Sequence, residues 1–388
     1  MNPCDLVLLA TADWDFPYWT NKQHVAVELA RRGFRVLYID SLGLRRPSAS
    51  ASDAGRMARR LRRAAGGPRP VRENLWVWSP VVLPLHGAAV ARRFNRAWLT
   101  GGLRRQLRRL GMRPEMLWTY NPLTTELLAL DDFKTIVYHC VDEIKAQPGM
   151  PTATLDAAER ELAGRAHIVF TTTPKLTETR RAWNANTHYF PNVADFDHFA
   201  MAREPGPQVP VDLAGIRAPR IGFIGAITGY KLDFELLRYV AQSRPDWSLV
   251  LIGEIGAGDP WTDAATLKGL PNLHLLGPRP YAELPGYLKG FDVAILPNQR
   301  NEYTAAMFPM KFFEYLAAGV PVVSTELPAL GEYRDVARLA ATREEFVAGI
   351  EEALAGKVAP LERRLAVARE HTYRARTEKM LALVALLG

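Results

Sequence analysis

The chain has 388 residues, 48% hydrophobic and 23% charged, which is enough to bury two ordinary cores. No stretch approaches the roughly 20 apolar residues of a membrane-spanning helix, the start lacks the basic region and long apolar run of a signal peptide, and the two distant cysteines, Cys4 and Cys140, form no metal motif, so a cytoplasmic protein with reduced thiols is expected. The net charge of +8 is unevenly placed: residues 56–113 hold 15 arginines, one acid (Glu73) and no lysine, a local +14 that leaves the remainder near −6.

Strand-like and helix-like segments alternate from end to end, which argues for a parallel α/β architecture. In the first half, strands are predicted at 5–11, 34–40, 75–79, 116–120, 135–141, 167–172 and 188–191, and helices at 21–32, 88–110, 154–165 and 174–184. After the first strand comes a polar and aromatic cluster containing Trp14, Trp19 and Lys22. Aromatic faces stack on sugars and lipid-linked carriers, so this cluster reads as an acceptor surface, and Asn121, after the strand at 116–120, belongs to the same rim. His139 and Asp142 stand at the end of the buried strand 135–141, where polar groups either serve chemistry or cap the following turn.

The arginine-rich helix at 88–110 places Val90, Phe94, Trp98, Leu103, Leu107 and Leu110 roughly on one side. It is either a packed amphipathic helix with solvated arginines or a contact with an anionic membrane surface, which suits basic residues beside Trp and Phe. Nucleic acid is not expected, because no recognition motif accompanies the charge.

Residues 201–218 include Pro205, Gly206, Pro207 and Pro210 and read as a linker between domains at 1–200 and 219–369. The second half restarts the pattern with a strand at 220–224, a helix at 232–243 and a strand at 247–253. Further elements follow at 272–276, 281–289 and 292–297, with closing helices at 343–355 and 361–387. The strand at 220–224 runs into a loop containing Gly225 and Lys231. Such a loop can approach a diphosphate, although most glycine loops are simply turns.

The most informative stretch is 308–325. Pro309 suits a first helical position, Gly319 a left-handed helix end, and 320–324 a strand buried on both faces. Lys311 and Glu314 are three residues apart and share a helix face. A lysine at a helix N-terminus can meet a pyrophosphate, and a carboxylate one turn on can accept two hydrogen bonds from a ribose diol. The bland alternative is an ion pair on a solvated face, which the apolar neighbours on almost every side oppose.

The pattern Pro309-x-Lys311-x-x-Glu314-Tyr315-x-Ala317-x-Gly319-x-Pro321-Val322-Val323 resembles the donor-site helix of GT-B glycosyltransferases. More narrowly, it resembles the family 4 branch (glycosyl transferases group 1), which includes enzymes of bacterial surface-polysaccharide and teichuronic-acid synthesis. The resemblance implies two Rossmann-like, doubly wound parallel-sheet domains facing a cleft, with acceptor on the first, donor on the second, and the C-terminal helix, about 370–388, packing back on the first. It implies that Glu314 contacts the nucleotide ribose and that Pro309, Lys311, Gly225 and Lys231 belong to the donor site. Arg279 lies in a segment like the family loop that packs on the base, or is a surface turn residue. His139 and Asp142 fall in a segment whose polar residues lie near the transferred sugar. Asn192 matches a family turn and is read as structural. Many members carry a second glutamate eight residues before the first, where this chain has Ala306.

The implied activity is transfer of a sugar from a UDP- or GDP-type donor to an acceptor alcohol, with retention of configuration. Polysaccharide, glycolipid or glycosylated-metabolite synthesis would use it. No metal or other cofactor is expected, because Lys231, Lys311 and the helix N-terminus can neutralise the leaving diphosphate. The acceptor is expected to be lipid-linked, met at the inner face of an anionic membrane through residues 56–113. Two alternatives share the fold, a nucleotide-sugar epimerase and a catalytically silent scaffold, the second kept open by Ala306. A nicotinamide oxidoreductase is disfavoured, since no Gly-x-Gly-x-x-Gly follows the first strand.

Overall fold

The computed structural model describes residues 3–16, 19–43, 66–83, 89–113, 115–257, 259 and 261–387. Residues 56–65 and 84–88 of the basic segment, the last including residue 88 of its helix, therefore lie outside the described residues. The chain divides into two compact units, Met1–Phe190 with Thr377–Gly388, and Pro191–Arg376.

Among the described residues, the first unit is built on eight strands: β1 Asp5–Leu9, β2 Arg35–Ile39, β3 Arg69–Arg72, β4 Leu75–Trp78, β5 Met116–Thr119, β6 Thr135–Cys140, β7 Ile168–Thr171 and β8 Thr187–Tyr189. Their order is β3-β4-β2-β1-β5-β6-β7-β8. The central strands are apolar on both faces, as parallel strands covered by helices must be; Leu6, Val7, Leu8 and Leu9 are all 0% exposed. β1 pairs in parallel with β2 and β5, Leu8 standing opposite Tyr38 on one side and Trp118 on the other. Among the described residues, only β3 is antiparallel, to β4, and the sequence pattern does not show it. It is a short edge strand of Arg69, Pro70, Val71 and Arg72, lacking an apolar run, joined to β4 through Asn74 at φ +57°.

The second unit has, among the described residues, six parallel strands: β9 Arg220–Ile224, β10 Ser248–Ile252, β11 Leu273–Gly277, β12 Val293–Leu296, β13 Val322–Thr325 and β14 Arg338–Ala340. Their order is β11-β10-β9-β12-β13-β14. One face of the sheet packs on the helices Phe234–Ser243 and Arg343–Leu354, with Leu237, Val240, Phe346 and Ile350 closing over Ile221, Leu249 and Ile295.

The segment expected as a linker is packed into this unit. Leu213 is 0% exposed, and Val209 and Leu213 lie close against Gly290 at the end of the helix Leu284–Lys289. These apolar residues among the prolines hold it down, so the units part at Phe190 instead. The closing helix predicted at 361–387 is two, Leu361–Glu370 and Tyr373–Val384. The break lies where the Ala194 N–H donates to the His371 carbonyl at 3.1 Å and the Thr372 hydroxyl caps Ala375 at 3.2 Å. Among the described residues, no helix is long and apolar enough to cross a membrane.

Candidate functional site

Open parallel sheets take ligands beyond the carboxyl ends of their strands, where the strand order turns back on itself. That point falls between β9 and β12 in the second unit and between β1 and β5 in the first.

In the second unit, the helix Lys311–Ala317 is fixed to the end of β9, because the Ile224 N–H donates to the Tyr315 hydroxyl at 2.8 Å. Pro309 stands two residues before this helix, not at its first position, and its carbonyl accepts from the Phe312 N–H at 3.0 Å. Gly319 ends the helix at φ +81°, as its sequence position suggests. The Lys311 Nζ lies 2.7 Å from Glu314 Oε2. Glu314 is 4% exposed, so the pair does not sit on a solvated face. Burial pushes the Glu314 carboxyl up, and the Lys311 charge opposes that shift.

Phe199 and His198, which sequence reasoning did not single out, stand near this pair with Tyr281 and Asp195 from the segments read as a base loop and a structural turn. Lys311 Nζ lies 6.0 Å from the Phe199 ring centroid. His198 stacks on Tyr281 with ring centroids 4.2 Å apart and brings Nε2 within 2.9 Å of the Tyr281 carbonyl. Burial lowers the His198 pKa. The Tyr281 phenol is pushed up by burial and then by the charges of Glu314 and Asp195. The turn that positions Asp195, His198 and Phe199 was readable only as structure, and Asn192 has that role: its Nδ2 donates to the Phe308 carbonyl at 2.6 Å.

The Gly225 N–H donates to Ile252 at 2.9 Å, and Gly253, at φ +154°, lies against the Gly225 carbonyl so closely that a Cβ there would sit 1.7 Å from the oxygen. Backbone alone fits where these neighbouring strand ends meet. Lys231 packs over the rings of Tyr230 and Tyr303, 5.3 and 5.4 Å from their centroids. No hydrogen bond or ion pair among the described residues joins it to Lys311 or Glu314. Arg279 is engaged elsewhere, by Asp212 at 2.7 Å and the Tyr287 hydroxyl at 2.6 Å, as a turn-stabilising residue would be. Ala306 is 3% exposed at the end of the helix Glu302–Ala305.

In the first unit, the acceptor candidates converge beyond β1 and β5. The rings of Trp14 and Trp19 lie 5.2 Å apart, and the Trp14 N–H donates to Asp40 Oδ1 at 2.7 Å. Lys22 Nζ stands 5.6 Å over the Tyr120 ring, which in turn stacks on His139 at 4.7 Å. His139 is 0% exposed, sealed among Tyr120, Trp118 and Phe170, whereas Asp142 is half-buried beyond the strand end. Asn121 is 1% exposed and shapes its own turn, its Oδ1 accepting from the Leu123 N–H at 2.9 Å.

Sequence reasoning also missed the buried charges behind Asp142. Arg180, 1% exposed, makes paired hydrogen bonds to Glu143 at 2.7 and 2.8 Å and to Glu159 at 2.8 and 2.9 Å. Glu159 also accepts from the Tyr138 hydroxyl at 2.7 Å. The backbone turn after β6 is thereby tied to two helices.

Comparison with known proteins agrees with this arrangement. Along 97–99% of its length the chain superposes on each of three solved structures. Sucrose-phosphate synthase from Thermosynechococcus elongatus superposes with a TM-score of 0.69 at 14% identity, covering 99% of both chains. HepE of Anabaena, solved in complex with UDP and glucose, gives 0.63 at 14% identity, covering 98% of this chain and 99% of that one. WaaG, a glycosyltransferase involved in lipopolysaccharide biosynthesis, gives 0.63 at 15% identity over 97% and 98%. The chain has the GT-B fold.

Residues 218–356 match the family described as Glycosyl transferases group 1, so the resemblance of the helix at 311–317 is borne out by the domain around it. A protein of Bacillus subtilis (strain 168), assigned to teichuronic acid biosynthesis as the glycosyltransferase TuaH, is 30% identical over 227 residues. That match takes in 55% of this chain and 56% of the relative, so the chain spans about half the length of the curated relative it matches.

Proposed function

We propose that this GT-B chain is a glycosyltransferase of the group 1 type that moves a sugar from a nucleoside diphosphate donor to an acceptor alcohol in polysaccharide or glycolipid synthesis. The observation that carries this reading is the buried Glu314 paired with the half-buried Lys311, at the start of a helix fixed to the end of β9. A carboxylate so buried needs a charged or hydrogen-bonding partner. Lys311 is one, and the two hydroxyls of a ribose are another. When the ribose takes Glu314, the ammonium group is released toward the diphosphate. Gly225, with only backbone at the strand end, gives that diphosphate close approach.

Charge neutralisation by Lys311, with Lys231 from the neighbouring loop, stabilises the departing nucleoside diphosphate as its bond to the sugar breaks. The acceptor oxygen then attacks from the face the diphosphate leaves, giving retention, and a diphosphate oxygen accepts the acceptor proton. The protein's part is positioning and electrostatics. Asp142 is the half-buried carboxylate of the first unit offered to the acceptor, with Trp14, Trp19 and Lys22 as its binding surface. UDP and glucose in the HepE complex favour a UDP-type donor, with a GDP-type donor as the alternative. We place the acceptor at an anionic membrane surface reached through residues 56–113. A silent scaffold is the second reading, favoured only by Ala306.

A thermal-shift screen of UDP, GDP, dTDP, ADP and their sugars tests the donor reading. Ligand at 100 times its dissociation constant adds about 2.7 kcal/mol of stability. A shift with one nucleotide and its sugar, and transfer that survives excess EDTA, is the expected result. A shift with no turnover of the matching sugar nucleotide would favour the scaffold, and loss of turnover with EDTA would make the reaction metal-dependent.

A further inference from the structure

The helix Ala89–Leu110 carries two apolar faces, where its sequence suggests one. Leu99, Leu103 and Leu107 point inward at 0%, 2% and 3% exposure, while Val90, Phe94 and Trp98 stand at 81%, 53% and 61%. Spaced by four residues, the exposed three line one side of the helix. The rings of Phe94 and Trp98 are stacked, centroids 6.4 Å apart and planes 8° from parallel. Helical periodicity carries the same side onward to Arg105 and Arg108 and puts Arg93 at its flank.

The helix contains no acidic residue. Arg92 and Arg104 are neutralised by Glu126 and Asp132, each at 2.7 Å. Among the described residues, Arg93, Arg105 and Arg108 have no acidic partner. Single exposed apolar side chains are ordinary, but three in line, ending in unpaired arginines, are not. A solvated face has no use for stacked aromatics, and a nucleic-acid surface would engage the arginines while leaving Val90 and Phe94 in water. Apolar residues on one stretch and cations on the next match the acyl boundary and the charged headgroups of a lipid interface.

We propose that this face lies in the interface of an anionic membrane, with Val90, Phe94 and Trp98 among the upper acyl chains and Arg93, Arg105 and Arg108 among the headgroups. It sharpens the membrane placement above to particular residues and stands whether or not the transfer reaction does. Sedimentation of the full chain with vesicles tests it, using phosphatidylcholine alone and phosphatidylcholine with phosphatidylglycerol at roughly 7:3. Wild-type protein should bind the mixed vesicles only, and less as salt rises. Phe94→Ala with Trp98→Ala should lower partitioning about tenfold, and Arg105→Gln with Arg108→Gln on the order of twentyfold. The substituted side chains are exposed, so circular dichroism and the thermal midpoint should not change and serve as folding controls. Equal binding to both vesicle types, no binding at low salt, or binding indifferent to the aromatic substitutions would overturn the proposal. So would a vesicle-free dimer that the aromatic substitutions abolish, since the face would then join two copies of the chain.

Discussion

Among the described residues, Glu314 has a single ion-pair partner, 2.7 Å away, in surroundings that leave it 4% exposed. Its neighbours Phe312, Phe313 and Tyr315 are all 0% exposed, so the carboxylate is held in place by packing. Glu314→Gln keeps the shape and removes the charge. It should weaken nucleotide binding by about 1.5–3 kcal/mol, the worth of a charge-assisted hydrogen bond, while the fold persists. Calorimetric titration with the nucleotide identified by the screen checks this, and undiminished affinity in a folded variant would end the ribose assignment. Lys311→Ala acts on a different quantity. If the ammonium group meets charge that develops as the diphosphate leaves, kcat should fall more than KM rises. A normal kcat with a raised KM would assign Lys311 to ground-state binding instead.

At the scale of elements, the turn after β6 depends on Arg180, whose guanidinium is shared by Glu143 and Glu159 inside the protein. Removing one partner of a buried ion pair leaves an uncompensated charge, which typically costs about 3–5 kcal/mol. Here two carboxylates would be stranded, so Arg180→Met should destabilise the first unit by at least that range in denaturant unfolding; a loss under about 1 kcal/mol would mean that water reaches the carboxylates. This network was not legible in the sequence because its members are 21 and 37 residues apart and each looks ordinary alone. The buried central strands were legible, since runs such as Leu6 to Leu9 leave no other use for so many apolar residues, whereas the short strands β3 and β14 were not. The helix Ala89–Leu110 shows the limit of periodicity. Val90, Phe94 and Trp98 keep helical spacing, as do Leu99, Leu103 and Leu107, and spacing alone does not say which set meets the sheet. At the helix Lys311–Ala317 the spacing put Lys311 and Glu314 on one face, where they stand 2.7 Å apart, but His198 and Tyr281 arrive from segments 83 residues apart.

For the whole molecule, pH acts on stability through groups whose burial is unequal in the folded and unfolded chains, and Asp40 is the clearest of them in the first unit. It is 4% exposed at the end of β2, where it accepts from the Trp14 N–H and from the Ser79 hydroxyl at 2.5 Å. Burial raises its pKa to about 6 from an ordinary 3.8; the Ser79 and Trp14 hydrogen bonds oppose that shift, and the charges of Asp13 and Asp15 add to it. A folded state that holds its proton more tightly than the unfolded chain is favoured at low pH. The stabilisation is therefore complete below about pH 4 and is lost as pH rises through about 6. At pH 8 the buried charge should cost about 3 kcal/mol, from a shift of about two pKa units at 1.36 kcal/mol each. Asp40→Asn removes the charge and keeps an oxygen for the Trp14 N–H. It should match the wild type in stability near pH 4 and exceed it by about 2–3 kcal/mol at pH 8. Denaturant unfolding of both proteins at the two pH values gives the difference directly, with the remaining titrating groups cancelling. A difference that is the same at both values would show that Asp40 keeps its ordinary pKa in the fold, and that the loop carrying Trp14 is anchored without a buried charge.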